Sequence, residues 1–161
     1  MDLIEQDSAA AVSLTTTQMG WLTTVRADGQ PQSSYVWFHF DGQDLLLYSE
    51  PHAPKVRNIK DNPRVSFHLD GDGSFAGVLT IEGTAEIAEV GPDRLAAFLA
   101  KYAEPVRDRM HTTPAEITAR FSVALLVTPS RLRSWLHPRD RPARLARTHA
   151  RGVPPASTPP E

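Results

Sequence analysis

The stretch 31-PQSSYVWFHFDGQDLLLYS-49 decides how the chain folds. Its first ten residues alternate: Tyr35, Trp37 and His39 fall on one face, Val36, Phe38 and Phe40 on the other, the period of a strand with one buried side. Asp41–Gly42 is a turn signal, and 44-DLLLYS-49 resumes as a strand. Just upstream, 19-MGWLTTVRA-27 also alternates and ends at a tight-turn signal, Asp28–Gly29. Three strands joined by two short turns predict an antiparallel meander.

The pattern extends along the chain. In 64-RVSFHLDG-71, Val65, Phe67 and Leu69 share a face. The clearest strand is 77-GVLTIEGTAEIAEV-90, with Leu79, Ile81, Ala85 and Ile87 on one side and Thr80, Glu82, Thr84 and Glu86 on the other. Gly83 interrupts the apolar side and marks a bend or bulge. The last strand, 122-SVALLVTPSRLRSW-135, is expected to break at Pro129, which has no N–H for a ladder. Asp70 to Gly73, DGDG, reads as a hairpin turn; it lacks the ligand pattern of a calcium loop.

Helices are appended to this sheet. Residues 8–18 suit a short one with Ser8 as N-cap, failing in the threonine run. Pro54 opens a second, with Val56 and Ile59 as its apolar stripe and Asn62–Pro63 as its end. In 92-PDRLAAFLAKYAE-104, Leu95, Phe98, Leu99 and Tyr102 form a buried stripe. In 113-TPAEITARF-121, Thr113 and Glu116 are spaced as a capping box. The expected class is mainly β with appended helices: an antiparallel, closed or nearly closed barrel of about six strands. One domain spans 1–138. From Arg139 the text turns Arg- and Pro-rich with no apolar period, so 139–161 reads as a disordered tail.

Composition narrows the function classes. The chain has 161 residues and a net charge of −2. Residues 1–138 carry 12 Lys and Arg against 17 Asp and Glu, −5; the tail carries five Arg against two acids, +3. An acidic body argues against a nucleic-acid partner. No apolar run approaches the roughly 20 residues of a membrane helix, and the acidic N-terminus is unlike a signal peptide; the expected location is cytoplasmic. The absence of cysteine removes disulfides, thiolate nucleophiles and Cys metal sites. His39, His68 and His111 have no metal-ligand spacing, so no metal is expected. No nucleophile–base motif and no phosphate loop of the Walker type occurs.

One local feature stands against the acidic body: Lys55, Arg57, Lys60 and Arg64 within ten residues, the first three on the helix opened by Pro54. Lysine and arginine there, with Asn58 and the open N–H groups of a helix start, would suit an anion such as phosphate. A solvated basic face is the plainer reading, and the spacing alone leaves both open.

The combination W-L-T-T-V-R-x-D-G-x-P from Trp21, V-W-F from Val36, Y-S at Tyr48, and K-V-R-N-I-x-x-N-P-R-V-S from Lys55 resembles the pyridoxamine 5′-phosphate oxidase-like superfamily. It is most similar to the actinobacterial branch associated with the deazaflavin coenzyme F420, over about Gly20 to Trp135. The resemblance implies an FMN-binding-type split β-barrel, a homodimer and a cofactor groove at the dimer interface. It assigns Lys55, Arg57, Asn58 and Lys60 to the cofactor phosphate, with Lys55 and Arg57 the principal pair and Arg64 left to the surface. It assigns Ser33, Val36 and Trp37 to the ring wall, and Tyr48 and Ser49 to the ring's polar edge. Val36 and Trp37 alternate, so both are not expected to meet the ring equally. Trp135 is expected to come from the second subunit. The implied activity is hydride transfer between F420 and a small organic acceptor. The alternatives are an FMN-dependent oxidoreductase of the same fold and a non-enzymatic flavin or deazaflavin carrier. No catalytic residue is assigned: Tyr35, His39 and solvent are equal candidates for proton donor.

Overall fold

Asp7 starts the first helix by accepting the N–H groups of Ala9 and Ala10, both at 3.1 Å. The N-cap is therefore Asp7, one residue before the expected Ser8. That helix, α1 (Ser8–Thr16), stops inside the threonine run. Ser13, Thr15 and Thr16 turn their hydroxyls back onto carbonyls four residues earlier, which competes with continued helix. The computed structural model describes residues 7–71 and 77–135. The turn at 70–73 lies partly, and the 139–161 extension wholly, outside the described residues.

The other elements are β1 (Met19–Val25), β2 (Pro31–Trp37), β3 (His39–Phe40), β4 (Leu45–Ser49), α2 (Pro54–Asp61), β5 (Arg64–His68), β6 (Val78–Ile87), α3 (Pro92–Asp108), α4 (Pro114–Arg120) and β7 (Val123–Trp135). All pairings are antiparallel, and the order β2-β1-β5-β6-β7-β4-β3 makes one seven-stranded sheet curled into a split barrel. The count is seven strands where about six were expected, because 31–40 is two strands rather than one.

That division corrects the meander. β1 and β2 pair over seven residues, and β3 pairs with β4. Yet β2 and β3 lie at opposite edges of the sheet, one residue apart in sequence. Phe38 is the corner between them. Its ring is fully buried, 4.8 Å from Phe67 in an edge-to-face contact. Its peptide groups leave the ladder and are satisfied by the Tyr102 hydroxyl, which accepts the Phe38 N–H at 2.8 Å and lies 2.5 Å from its carbonyl. A buried backbone group needs such a partner. The side-chain alternation survives the corner: Val36, Phe38 and Phe40 are buried while Tyr35 is exposed.

The expected break at Pro129 does not occur either. β7 runs unbroken for 13 residues, and the pairing with β6 slips by one residue beside Pro129, between Glu82 and Gly83. A bulge removes the need for the missing donor. Gly83 is required there, since a Cβ would overlap the Thr128 carbonyl oxygen. Past the bulge Ile87 leaves the core and is exposed, contrary to the alternation. α3 continues through Pro105 to Asp108, beyond the expected end at Glu104.

Two apolar cores result. The inside of the curled sheet holds Leu14, Leu22, Phe38, Phe67, Ile81 and Leu125. On its outside, α3 and α4 cover one end with Leu46, Phe98, Tyr102, Val106, Ile117 and Ala124. β4 serves both: Leu45 and Leu47 point inward, Leu46 and Tyr48 toward the helices. That is why 44-DLLLYS-49 is apolar without alternation. The capping box of Thr113 and Glu116 forms as expected and starts α4.

Candidate functional site

α2 is held to the barrel by its interior side. Val56, Asn58 and Ile59 are buried. The Asn58 amide donates to the Thr24 hydroxyl at 2.9 Å and to the Gln32 side-chain oxygen at 3.1 Å. Asn58 and Thr24 are both buried, so each supplies the other with a hydrogen-bond partner that water does not. Asn58 thus joins α2 to β1 and β2, and its amide is committed inward. Arg57 and Lys60, one turn apart, stand on the exposed side. Lys55 takes a third direction, because residues two apart on a helix do not face each other.

Lys55 points into a cleft of about 200 Å³ between the sheet and the helix pair. The sheet contributes Met19, Tyr35, Val36, Trp37 and Tyr48; α3, α4 and their flanks contribute Phe98, Met110, Ile117 and Phe121. Lys55 is the one charged residue in this lining. The half-buried ammonium is pushed below the usual lysine range by loss of water, an effect Glu50 partly opposes. Glu50 itself is paired with Arg120 at 2.6 Å. Among the described residues Lys55 has no ion-pair partner. No side chain supplies a cap at the first turn of α2, where Ala53 is the N-cap, so the helix start adds its partial positive charge beside Lys55.

The aromatic wall is built as a series. Trp37 lies parallel to Tyr102, with centroids 4.5 Å apart and planes within 6°. Tyr102 meets Phe98 at 4.9 Å, and Phe98 meets Tyr48 edge-on at 4.8 Å. Burial raises the Tyr48 hydroxyl above its ordinary value, which keeps it protonated and able to donate. Tyr35 faces the cleft with its ring and turns its hydroxyl to Asp70 at 2.8 Å. Asp70 also takes the Trp21 indole N–H at 2.8 Å. The Tyr35 hydroxyl is held above its ordinary value by that carboxylate. His39 is outside the lining, and burial followed by the charge of Lys101 lowers its affinity for a proton.

Of the nine site residues expected from sequence, the fold brings four together: Val36, Trp37, Tyr48 and Lys55. Val36 and Trp37 both line the cleft, although Val36 also belongs to the inner core. Ser33 lies on the outer face, its hydroxyl 2.8 Å from that of Thr23. Ser49 is buried and donates to the Glu50 carbonyl. Sequence reasoning missed Met19, Phe98, Met110, Ile117 and Phe121. Phe98 was legible as part of a buried stripe, but the strand it would face was not. Trp135 is exposed at the end of β7, paired with Val78.

The geometry defines a class: a split-barrel protein with an aromatic-walled cleft whose lining holds a single charged residue, Lys55, suited to an aromatic ligand bearing negative charge. Residues 7–136 match the pyridoxamine 5′-phosphate oxidase family, and the chain belongs to it. A solved F420 reductase is 32% identical, over 75% of this chain and 94% of that one, with a TM-score of 0.55. The conserved hypothetical protein Rv2991 of Mycobacterium tuberculosis is 28% identical over 99% of this chain and 93% of its own, with a TM-score of 0.62. The heme storage protein HutZ of Vibrio cholerae shares the fold at 21% identity, over 83% and 95%, with a TM-score of 0.58. Among the described residues no helix is long and apolar enough to cross a membrane, and no group of His, Cys, Asp or Glu is arranged to hold a metal.

Proposed function

We propose that the chain is an F420-dependent oxidoreductase acting on a small organic acceptor. The observation that carries this reading is the cleft itself: Trp37, Tyr48 and Val36 beside a half-buried Lys55 that has no ion-pair partner among the described residues. Family membership and the similarity to an F420 reductase support it.

The residues fit a phosphate-bearing flat cofactor. A half-buried lysine with no carboxylate partner among the described residues favours an anion. The aromatic wall excludes water from one ring face and orients it. The bound deazaflavin would supply the hydride, so no protein nucleophile is required. Arg57 and Lys60, on the outer side of α2, would meet the more exposed charges. The Tyr48 hydroxyl would donate a hydrogen bond at the ring edge. No general acid is assigned. A cleft of about 200 Å³ is smaller than the about 300–1,000 Å³ typical of cofactor-sized pockets. A second copy of the chain would supply the missing wall, making the working unit a homodimer. The exposed Trp135 and the outer row of Trp21, Tyr35 and His68, with Trp21 and Tyr35 centroids 4.9 Å apart, offer the surface for it.

FMN shares the phosphate and the flat ring, so an FMN-dependent enzyme of the same fold is the second reading. A carrier that binds without turnover is the third. Titration of the purified protein with oxidised F420 and with FMN, followed by tryptophan fluorescence, separates the first two. Tight F420 binding with weak FMN binding is expected; the reverse preference moves the protein to FMN, and binding of neither removes the proposal. Turnover of reduced F420 against a panel of acceptors then separates enzyme from carrier.

A further inference from the structure

Three of the four rings in the series Trp37–Tyr102–Phe98–Tyr48 line the cleft; Tyr102 stands behind them. We infer that Tyr102 is a positioning residue: it fixes Trp37, and through Trp37 the shape of the cleft's aromatic wall. The inference rests on the cleft being the ligand site proposed above.

Tyr102 is fixed at both ends. Its ring is 1% exposed and stacks flat on Trp37. Its hydroxyl accepts the Phe38 N–H at 2.8 Å, and its one proton lies between the carbonyls of Gln18 at 2.6 Å and Phe38 at 2.5 Å. Gln18 precedes β1 and Phe38 follows β2, so one hydroxyl ties together the two strand ends that frame the cleft. Phe38 is also the residue next to Trp37 in the chain. A shift of the corner therefore moves the indole directly. Lys101 reinforces the arrangement: its ammonium donates to the Phe38 carbonyl at 3.0 Å and lies 4.3 Å from the Phe38 ring centroid. A corner made by backbone ladders would need none of this. Here the ladder is absent, and a helix 64 residues further along the chain replaces it.

A ring behind a wall also packs a core, so the test must separate positioning from stability. Tyr102→Phe keeps the stack and removes the hydroxyl. Leu14→Ala damages the barrel core at a residue outside the cleft lining and outside the hydrogen bonds of the corner. Oxidised F420 and FMN serve as probes on the full chain. The expected result is that Tyr102→Phe weakens binding of whichever probe the wild type prefers by about tenfold and changes the near-ultraviolet circular dichroism of Trp37, assigned with Trp37→Phe. Leu14→Ala should lower Tm and leave affinity and the Trp37 band unchanged. Wild-type affinity and an unchanged Trp37 band in Tyr102→Phe would overturn the inference. If the wild type binds neither probe, the cofactor reading fails, and the Trp37 band in the free protein still decides the positioning role. Should Tyr102→Phe not fold, Lys101→Met, which removes the second donor to the same carbonyl, carries the same test through the same band.

Discussion

The two apolar cores share a sheet and do different work. The inner core is closed: Leu14, Leu22, Phe38, Phe67, Ile81 and Leu125 are each exposed by less than 2%, and no cleft residue except Val36 belongs to it. The outer core, under α3 and α4, is incompletely filled. Its members Trp37, Tyr48, Phe98, Ile117 and Phe121 leave a space that Lys55 closes on one side. The inner core is built for stability, and on the proposed function the outer one is built for binding. A closed core resists substitution through packing, whereas an open one keeps aromatic surface available to a ligand while buried enough to hold each ring still.

The largest expected effect is in the closed core. Phe67→Ala, at a fully buried ring packed edge-on against Phe38, should cost about 3–5 kcal/mol by denaturant unfolding. A loss below 1 kcal/mol would mean the inner core is not the stabilising one. Next comes the cleft: Lys55→Ala with Arg57→Ala should weaken cofactor binding by about 2–5 kcal/mol, as for lost charged hydrogen bonds to phosphate, with little change in unfolding. The single variants sharpen this, because Lys55 lines the cleft and Arg57 does not; Lys55→Ala should account for most of the effect. Equal single effects would place the phosphate outside the cleft, on the exposed side of α2.

Asn58→Ala tests the boundary between the regions. It removes the amide that donates to Thr24 and Gln32 and leaves the buried Thr24 hydroxyl only its 3.4 Å bond to the Gln32 carbonyl, so stability should fall by about 1–3 kcal/mol. A cofactor affinity lost in proportion to a direct phosphate contact, with stability intact, would return Asn58 to the binding set.

The smallest effect is a pH dependence at the corner. Loss of water lowers Lys101 from 10.5 to about 8. Between those values the unfolded chain holds the proton and the folded chain releases it. Stability therefore rises with pH across that window and is lowest, for this group, below about 8. Lys101 is partly exposed, so the gain is small. Thermal unfolding of wild type and Lys101→Met should show the difference moving toward wild type between pH 8 and pH 10.5. A constant difference would show that the ammonium is not desolvated at the corner.

Much of this was legible in the sequence because it is local. Strand periodicity in 31–40 and 77–87 sorted most side chains by face, Pro54 and Asn62–Pro63 bounded α2, and Thr113 with Glu116 started α4. The site was legible only in part. Spacing grouped Lys55 with Arg57, but a helix turns 100° per residue and sends them in different directions. Asn58 reads as a surface donor until Thr24 and Gln32 are brought to it.

Local pattern in the sequence set the mainly β class, the turns at Asp28–Gly29 and Asp41–Gly42, the presence of the four helices and the family resemblance, since each depends on near neighbours or on motif order. Only the tertiary structure decided that 31–40 divides at Phe38, that Pro129 sits in an unbroken strand, and that one lysine of the basic cluster faces an aromatic cleft. Those outcomes depend on partners far along the chain. Tyr102 replaces a ladder at Phe38, Gly83 yields space beside Pro129, and α3 closes the wall opposite Trp37. No local pattern of residues encodes which distant group will arrive to satisfy a peptide bond, and that is what set the corner and the cleft.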